Sequence, residues 1–154
     1  MISPQSDVLQ REIRIAARPE IVFEFSTDPA RMMRWNGINN TLDPRPGGIY
    51  RVDLNRRDVA SGRFVEVIPY SRVVFTWGLE GDNSPFPPGA STVEVSLIPD
   101  GDGTIVRLRH SGLPANDPMD FGGAWDHALA RLVIVAQGGD PGPDPWVESM
   151  DMPG

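Results

Sequence analysis

Leu9, Arg11, Ile13 and Ile15 alternate with Gln10, Glu12 and Arg14, a period of two that predicts an opening β-strand. Pro19 then stands where a first helical residue belongs, with Glu20 in the first turn and Ile21, Val22 and Phe25 on one helical face. Asp28-Pro29 repeats the logic of a cap followed by proline and predicts a second short helix through Met33, which Trp35, Asn36 and Gly37 end. Strand patterns follow near 38–43, 49–54, 62–68, 72–78, 91–98 and 104–110. Pro46-Gly47-Gly48, Asn55 to Ser61, Pro69-Tyr70, the Gly/Pro-rich 81–89 stretch and Asp100-Gly101-Asp102-Gly103 separate them as turns. Such short connections predict an antiparallel meander.

After Pro114 the period changes. Asn116 or Asp117 is a candidate helix cap with Pro118 behind it. From Trp125 to Gln137, the residues Trp125, Ala128, Leu129, Leu132, Val133 and Ala136 form one apolar stripe, with Asp126, His127 and Arg131 away from it. Gly122-Gly123 predicts a kink or the true start of this helix, and Gly138-Gly139 stops it. Residues 138–154 are rich in Pro and Gly and predict an irregular tail, with Trp146 as the one residue able to dock it.

Charge assigns the strand faces, because the parity that carries charge faces water. Tyr50, Val52 and Leu54 then point inward, as do Val73, Phe75 and Trp77, then Val93, Val95 and Leu97, and finally Val106, Leu108 and His110. Over 63–68 the parity is less clean: Arg63 outside places Phe64, Glu66 and Ile68 inside and leaves Val65 and Val67 on the outer face. The inner face is almost wholly apolar, with Tyr50, Glu66 and His110 as polar handles. One helix about 10–12 Å across cannot seal six or seven strands tightly. A ligand-sized cavity between sheet and helix is therefore expected, walled by Trp77 or Trp125.

Composition narrows the function. The 154 residues predict one domain over 8–137, a flexible stretch over 1–7 and the tail over 138–154. Hydrophobic residues at 40% and charged residues at 23% are ordinary for a globular chain. The absence of cysteine excludes a disulfide scaffold, thiolate zinc ligands and a cysteine nucleophile. A net charge of -7, with all 14 basic residues arginine, argues against nucleic acid and anionic membranes as partners. No stretch reaches the roughly 20 apolar residues of a membrane helix, and Met1 to Gln10 has no signal-peptide pattern, so the expectation is a cytoplasmic protein without membrane insertion.

Several stretches together resemble the START/Bet v 1-like (SRPBCC) superfamily, and within it the branch named after the activator of heat-shock protein 90 ATPase. They are 17–23, 27–35, 46–51, 62–69, 74–77, 104–112 and 123–125 with Leu129 and Leu132. The resemblance implies an α+β helix-grip fold, in which a curved antiparallel sheet wraps a long C-terminal helix and two short helices follow the first strand. Members bind lipids, sterols or polyketides, some cyclise or dehydrate aromatic polyketides, and one subgroup stimulates a chaperone. Ala124 interrupts the branch's Gly-Trp pair, and the tail is unusually rich in Pro and Gly.

Candidate chemistry is sparse. His110 is either a general acid-base or ligand anchor, or a satisfied histidine near a strand end. Glu66 is either a desolvated carboxylate or a residue sent to water by a bulge or ion-paired with an arginine such as Arg34. Asp100-Gly101-Asp102-Gly103 lacks the acidic twelfth position of a calcium loop, and His110 and His127 lack metal-site spacing, so neither metal nor cofactor is expected. The leading expectation is a carrier of a small hydrophobic molecule, lined by Tyr50, Phe64, Glu66, Phe75, Trp77, Val95, Leu108, His110, Trp125 and Leu129. The alternatives are a polyketide cyclase/dehydratase-type enzyme using Glu66, His110 or Tyr50, and a protein-interaction or chaperone-regulating module. Association as a homodimer is compatible with each.

Overall fold

A computed structural model describes residues 8–84, 86–114 and 120–145. The elements run β1 (Val8–Ile15), α1 (Pro19–Thr27), α2 (Pro29–Met32), β2 (Asn39–Leu42), β3 (Ile49–Asp53), β4 (Val59–Ile68), β5 (Arg72–Leu79), β6 (Ser91–Asp100), β7 (Gly103–Ser111) and α3 (Phe121–Ala136). The strands form one antiparallel sheet in the order β1-β7-β6-β5-β4-β3-β2. This is the expected meander, with β1 returning to pair with β7. The helices α1 and α2 connect the two edges, and α3 packs beside β1 and α1. Among the described residues, no helix is long and apolar enough to cross a membrane.

The helix hairpin follows from its local chemistry. Pro19 and Pro29 occupy first-turn positions, where a missing N–H costs nothing. Asp28 closes α1 through its backbone and opens α2 through its carboxylate, which accepts the Arg31 N–H at 3.0 Å. Trp35 donates its indole N–H to the Phe25 carbonyl at 2.9 Å, fastening the end of the hairpin back onto α1.

α3 starts at the glycine pair rather than bending there. Asp120 is its cap and accepts the Gly123 N–H at 3.1 Å. A Cβ on residue 123 would lie 2.3 Å from the Asp120 carboxylate, so this cap needs glycine. The cap expected at Asn116 or Asp117 lies outside the described residues, as does Trp146. The stripe of α3 buries Leu129, Leu132 and Ala136 and also Val135, with Trp125, Ala128 and Val133 packed against the core. The described part of the tail docks on α3: Asp144 meets His127 Nε2 at 2.7 Å, and Arg131 donates to the Gly142 carbonyl at 2.9 Å.

Two sequence expectations fail on β4. The strand begins at Val59, within the expected 55–61 turn, because Asn55 closes that turn early. Its side-chain oxygen accepts the N–H groups of Arg57 and Asp58 at 2.7 and 2.8 Å. The second failure is a bulge. Phe64 pairs with Phe75 but Glu66 pairs with Val74, so the register slips at Val65. Beyond the slip Val67 packs on the core, whereas Ile68 is exposed and Glu66 turns to the outer face, reversing the inward placement of both.

Candidate functional site

Inward-facing side chains of β3, β5, β6 and β7 and the apolar stripe of α3 enclose the space between sheet and helix. The structure divides this space in two. An inner chamber of about 20 Å³ is lined by Tyr50, Phe75, Val95, Val106, Leu108, Leu129 and Leu132, with Ser26, Met32, Trp35, Asn36 and Trp125 closing it. An outer chamber of about 130 Å³ is lined by Leu54, Trp77, Leu79, Phe121, Ala124, Trp125 and Ala128, with Asn36 and Asp58 as its polar members. Asn36 and Trp125 border both.

The expected cavity of drug-ligand size, roughly 300–1,000 Å³, is therefore not what the fold leaves. Aromatic rings fill the difference. Tyr50 stacks on Phe75 at 4.0 Å between centroids, and Phe64 meets both edge-on. At the other end Trp77, Phe86 and Phe121 pack mutually at 5.3–5.9 Å. Phe25, Met32 and Trp35 add a further buried layer from the helix hairpin.

Of the residues singled out from sequence, Trp77 and Trp125 wall the outer chamber, while Tyr50, Phe75, Val95, Leu108 and Leu129 wall the inner one. Phe64 lies behind Tyr50 and Phe75. Tyr50 is buried, its pKa is raised by desolvation, and its hydroxyl has no hydrogen-bond partner among the described residues. Glu66 is not in the site. It binds Arg72 on the outer face, and Arg72 also reaches Glu94 at 2.6 Å. The ion-pair reading of Glu66 holds, with Arg72 in place of Arg34, and the bulge at Val65 is the cause.

His110 is wholly buried behind the outer chamber. Trp125 can only donate, so its Nε1–H at 3.0 Å makes His110 Nδ1 an acceptor. The proton therefore sits on Nε2, which donates to Ser91 Oγ at 2.7 Å. Ser91 in turn donates to the Trp77 carbonyl at 2.9 Å. Trp77, Phe121 and Trp125 present edges or faces to the imidazole at 5.4–6.1 Å. Burial pushes its pKa down to about 4, keeping it neutral. Both ring nitrogens are engaged, which removes His110 as well as Glu66 from the acid-base pair that a cyclase would need.

Asn36, Asp58, Phe86 and Phe121 escape the sequence reading. Asn36 ends the helix hairpin and Asp58 lies in the 55–58 turn, while Phe86 and Phe121 lie outside any strand pattern. Neither the Asn36 carbonyl nor Asp58 Oδ1 accepts a hydrogen bond among the described residues. Together they give the outer chamber a rim of two acceptors above aromatic walls. Among the described residues no three His, Asp or Glu side chains cluster as a metal site would require.

Sheet, grip helix and enclosed apolar cleft define a START/Bet v 1-like domain. The chain belongs to the family described as Activator of Hsp90 ATPase homolog 1-like protein, which matches residues 16–137. An AHSA1-like protein of Rhizobium etli, solved in solution, is 43% identical, covers 90% of this chain and 87% of its own, and superposes with a TM-score of 0.71. The solution structure of CalU16 from Micromonospora echinospora is 30% identical, with coverage of 92% and 71% and a TM-score of 0.73. An Hsp90 activator from Plasmodium falciparum shares the fold at 19% identity, with coverage of 83% and 94% and a TM-score of 0.67. No curated protein matches the chain.

Proposed function

We propose that the protein binds a small apolar molecule of single-ring size, carrying one hydrogen-bond donor, in the outer chamber. The observation that carries this reading is the chamber itself: about 130 Å³ between the indoles of Trp77 and Trp125, with Asn36 and Asp58 at its rim. An apolar cavity of about 150 Å³ in another protein suffices for benzene. The two rim acceptors favour a phenol over a plain hydrocarbon, because a buried acceptor gains from a donor. This is the carrier reading at reduced ligand size. The cyclase reading loses Glu66 to the outer face and both nitrogens of His110 to structure. The chaperone role belongs to the Plasmodium protein, and likeness at 19% identity supports the fold without the activity.

The test uses 4-fluorophenol and fluorobenzene, followed by fluorine NMR and by the fluorescence of Trp77 and Trp125. The expected result is saturable binding, tighter for the phenol, that is lost when Ala128→Leu fills the chamber. Absence of saturable binding, or binding that Ala128→Leu leaves unchanged, overturns the reading.

A further inference from the structure

On the opposite side of the sheet, β3, β4 and β5 carry a second concavity of about 470 Å³. Its floor is Ser61, Gly62 and Thr76, its sides are Arg51 with Glu80 and Ile49 with Arg63, and Pro88-Gly89 of the 81–90 loop forms its rim. The floor exists because the two strands approach too closely for a side chain. A Cβ on Gly62 would lie 2.0 Å from the Thr76 carbonyl oxygen. The same pinch opens the ladder, so the Arg63 N–H donates to Thr76 Oγ1 at 2.9 Å instead of to a backbone carbonyl.

Three groups converge there with donors to spare. Ser61 is about nine-tenths buried, opposite the bare Gly78, and its hydroxyl has no hydrogen-bond partner among the described residues. Thr76 uses its oxygen as an acceptor, which leaves its own hydroxyl hydrogen unassigned. Arg63 donates one N–H to the Gly47 carbonyl at 3.1 Å and pairs with no carboxylate among the described residues. Arg51 is held by Glu80 at 3.0 Å and by Asp53 at 3.1 Å, two carboxylates for one guanidinium, so Arg63 brings the four groups to charge balance. The groove therefore holds one guanidinium without a carboxylate partner among the described residues, two hydroxyl donors and an apolar flank from Ile49 and Pro88.

We propose that this outer-face groove is a binding site for a small organic carboxylate with an apolar body. A carboxylate supplies two planar acceptor oxygens, which suit the Arg63 guanidinium on one side and the Ser61 and Thr76 hydroxyls on the other. A single unpaired guanidinium, beside Glu80 and on a chain of net charge -7, favours a monoanion over a dianion such as a phosphate monoester. Ile49 and Pro88 cover the ligand's carbon skeleton.

The experiment is a benzoate titration of nitrogen-15-labelled protein, with benzyl alcohol as the neutral ring of similar size and inorganic phosphate as the anion without a body. Saturable amide shifts are expected at Ser61, Gly62, Thr76 and Gly89 with benzoate, and no comparable shifts with the other two. Arg63→Gln weakens benzoate about tenfold, the loss expected for one charge-assisted hydrogen bond, with its melting temperature unchanged. Ser61→Ala, which leaves the charge in place, also weakens it. Shifts confined to Trp77 and Trp125, equal response to benzyl alcohol or phosphate, or indifference to both substitutions overturns the proposal.

Discussion

Acidification tests the assignment of His110 as a structural link. In the fold its pKa lies at about 4, because burial disfavours the imidazolium. The Trp125 indole N–H also occupies Nδ1, the nitrogen that would have to take the proton. In the unfolded chain the same imidazole titrates near 6.5. Between the two values the unfolded chain binds a proton that the folded chain refuses. Stability therefore falls as pH drops from about 6.5 toward about 4, and this contribution stops changing below about 4, where both forms are charged. The gap corresponds to about 3 kcal/mol. His110→Gln is the reference, since its amide donates and accepts but does not titrate. His127 and the carboxylates are common to both proteins and cancel in the difference. Urea unfolding between pH 7 and pH 4 should show the parent losing about 3 kcal/mol more than the variant. At pH 7 the variant should itself be less stable by about 1–3 kcal/mol. Parallel curves would refute the buried neutral imidazole and the chain of hydrogen bonds built on it.

Three further outcomes follow from single contacts. Trp125→Phe keeps a ring in the chamber wall but removes the donor to Nδ1; it should cost about 1 kcal/mol and move the His110 pKa upward in an imidazole NMR titration. Glu66→Gln should leave 4-fluorophenol affinity unchanged and alter stability by no more than about 1 kcal/mol, because its ion pair with Arg72 is largely solvated; a changed affinity would return Glu66 to the site. Gly62→Ala places a carbon against the Thr76 backbone and should destabilise the fold by about 1–3 kcal/mol in thermal melts, and an unchanged melt would show that β4 and β5 can separate freely.

The parity of charge was enough to orient β3, β5, β6 and β7, because no residue is inserted along any of them and positions two apart stay on one face. It failed on β4 for a local reason. A bulge inserts one residue without changing composition, and its trace in the sequence was that strict alternation put both Val65 and Val67 outside. Accepting a slip at Val65 returns Val67 to the core and sends Glu66 to Arg72. The fold class was legible because the order of patterned segments survives such slips. The cavity was legible in position but not in size. Sequence places Trp77, Phe75 and Tyr50 on one face, but their stacking, and the arrival of Phe86 and Phe121 from unpatterned segments, are tertiary facts. Asn36 and Asp58 were missed for the same reason: both come from turns, where no periodicity assigns a face.

The histidine that looked like chemistry governs shape instead. Position 110 faces three aromatic side chains, and an apolar residue there would pack among them. It would also strand the Trp125 indole N–H, a part-buried donor whose loss of a partner costs about 1 kcal/mol. An asparagine or glutamine would need its amide turned to serve Trp125 and Ser91 at once. The neutral imidazole does so with a rigid ring, accepting at Nδ1 and donating at Nε2. Ser91 then carries the link to the Trp77 carbonyl. One connected path thus runs from α3 through β7 and β6 to β5, and its two ends are the residues that wall the outer chamber. Rotating the Trp125 indole would break this path, whereas the Trp77 indole is held by its ring contacts with His110, Phe86 and Phe121. The Trp125 wall of the chamber is accordingly fixed by a polar group that does not line it.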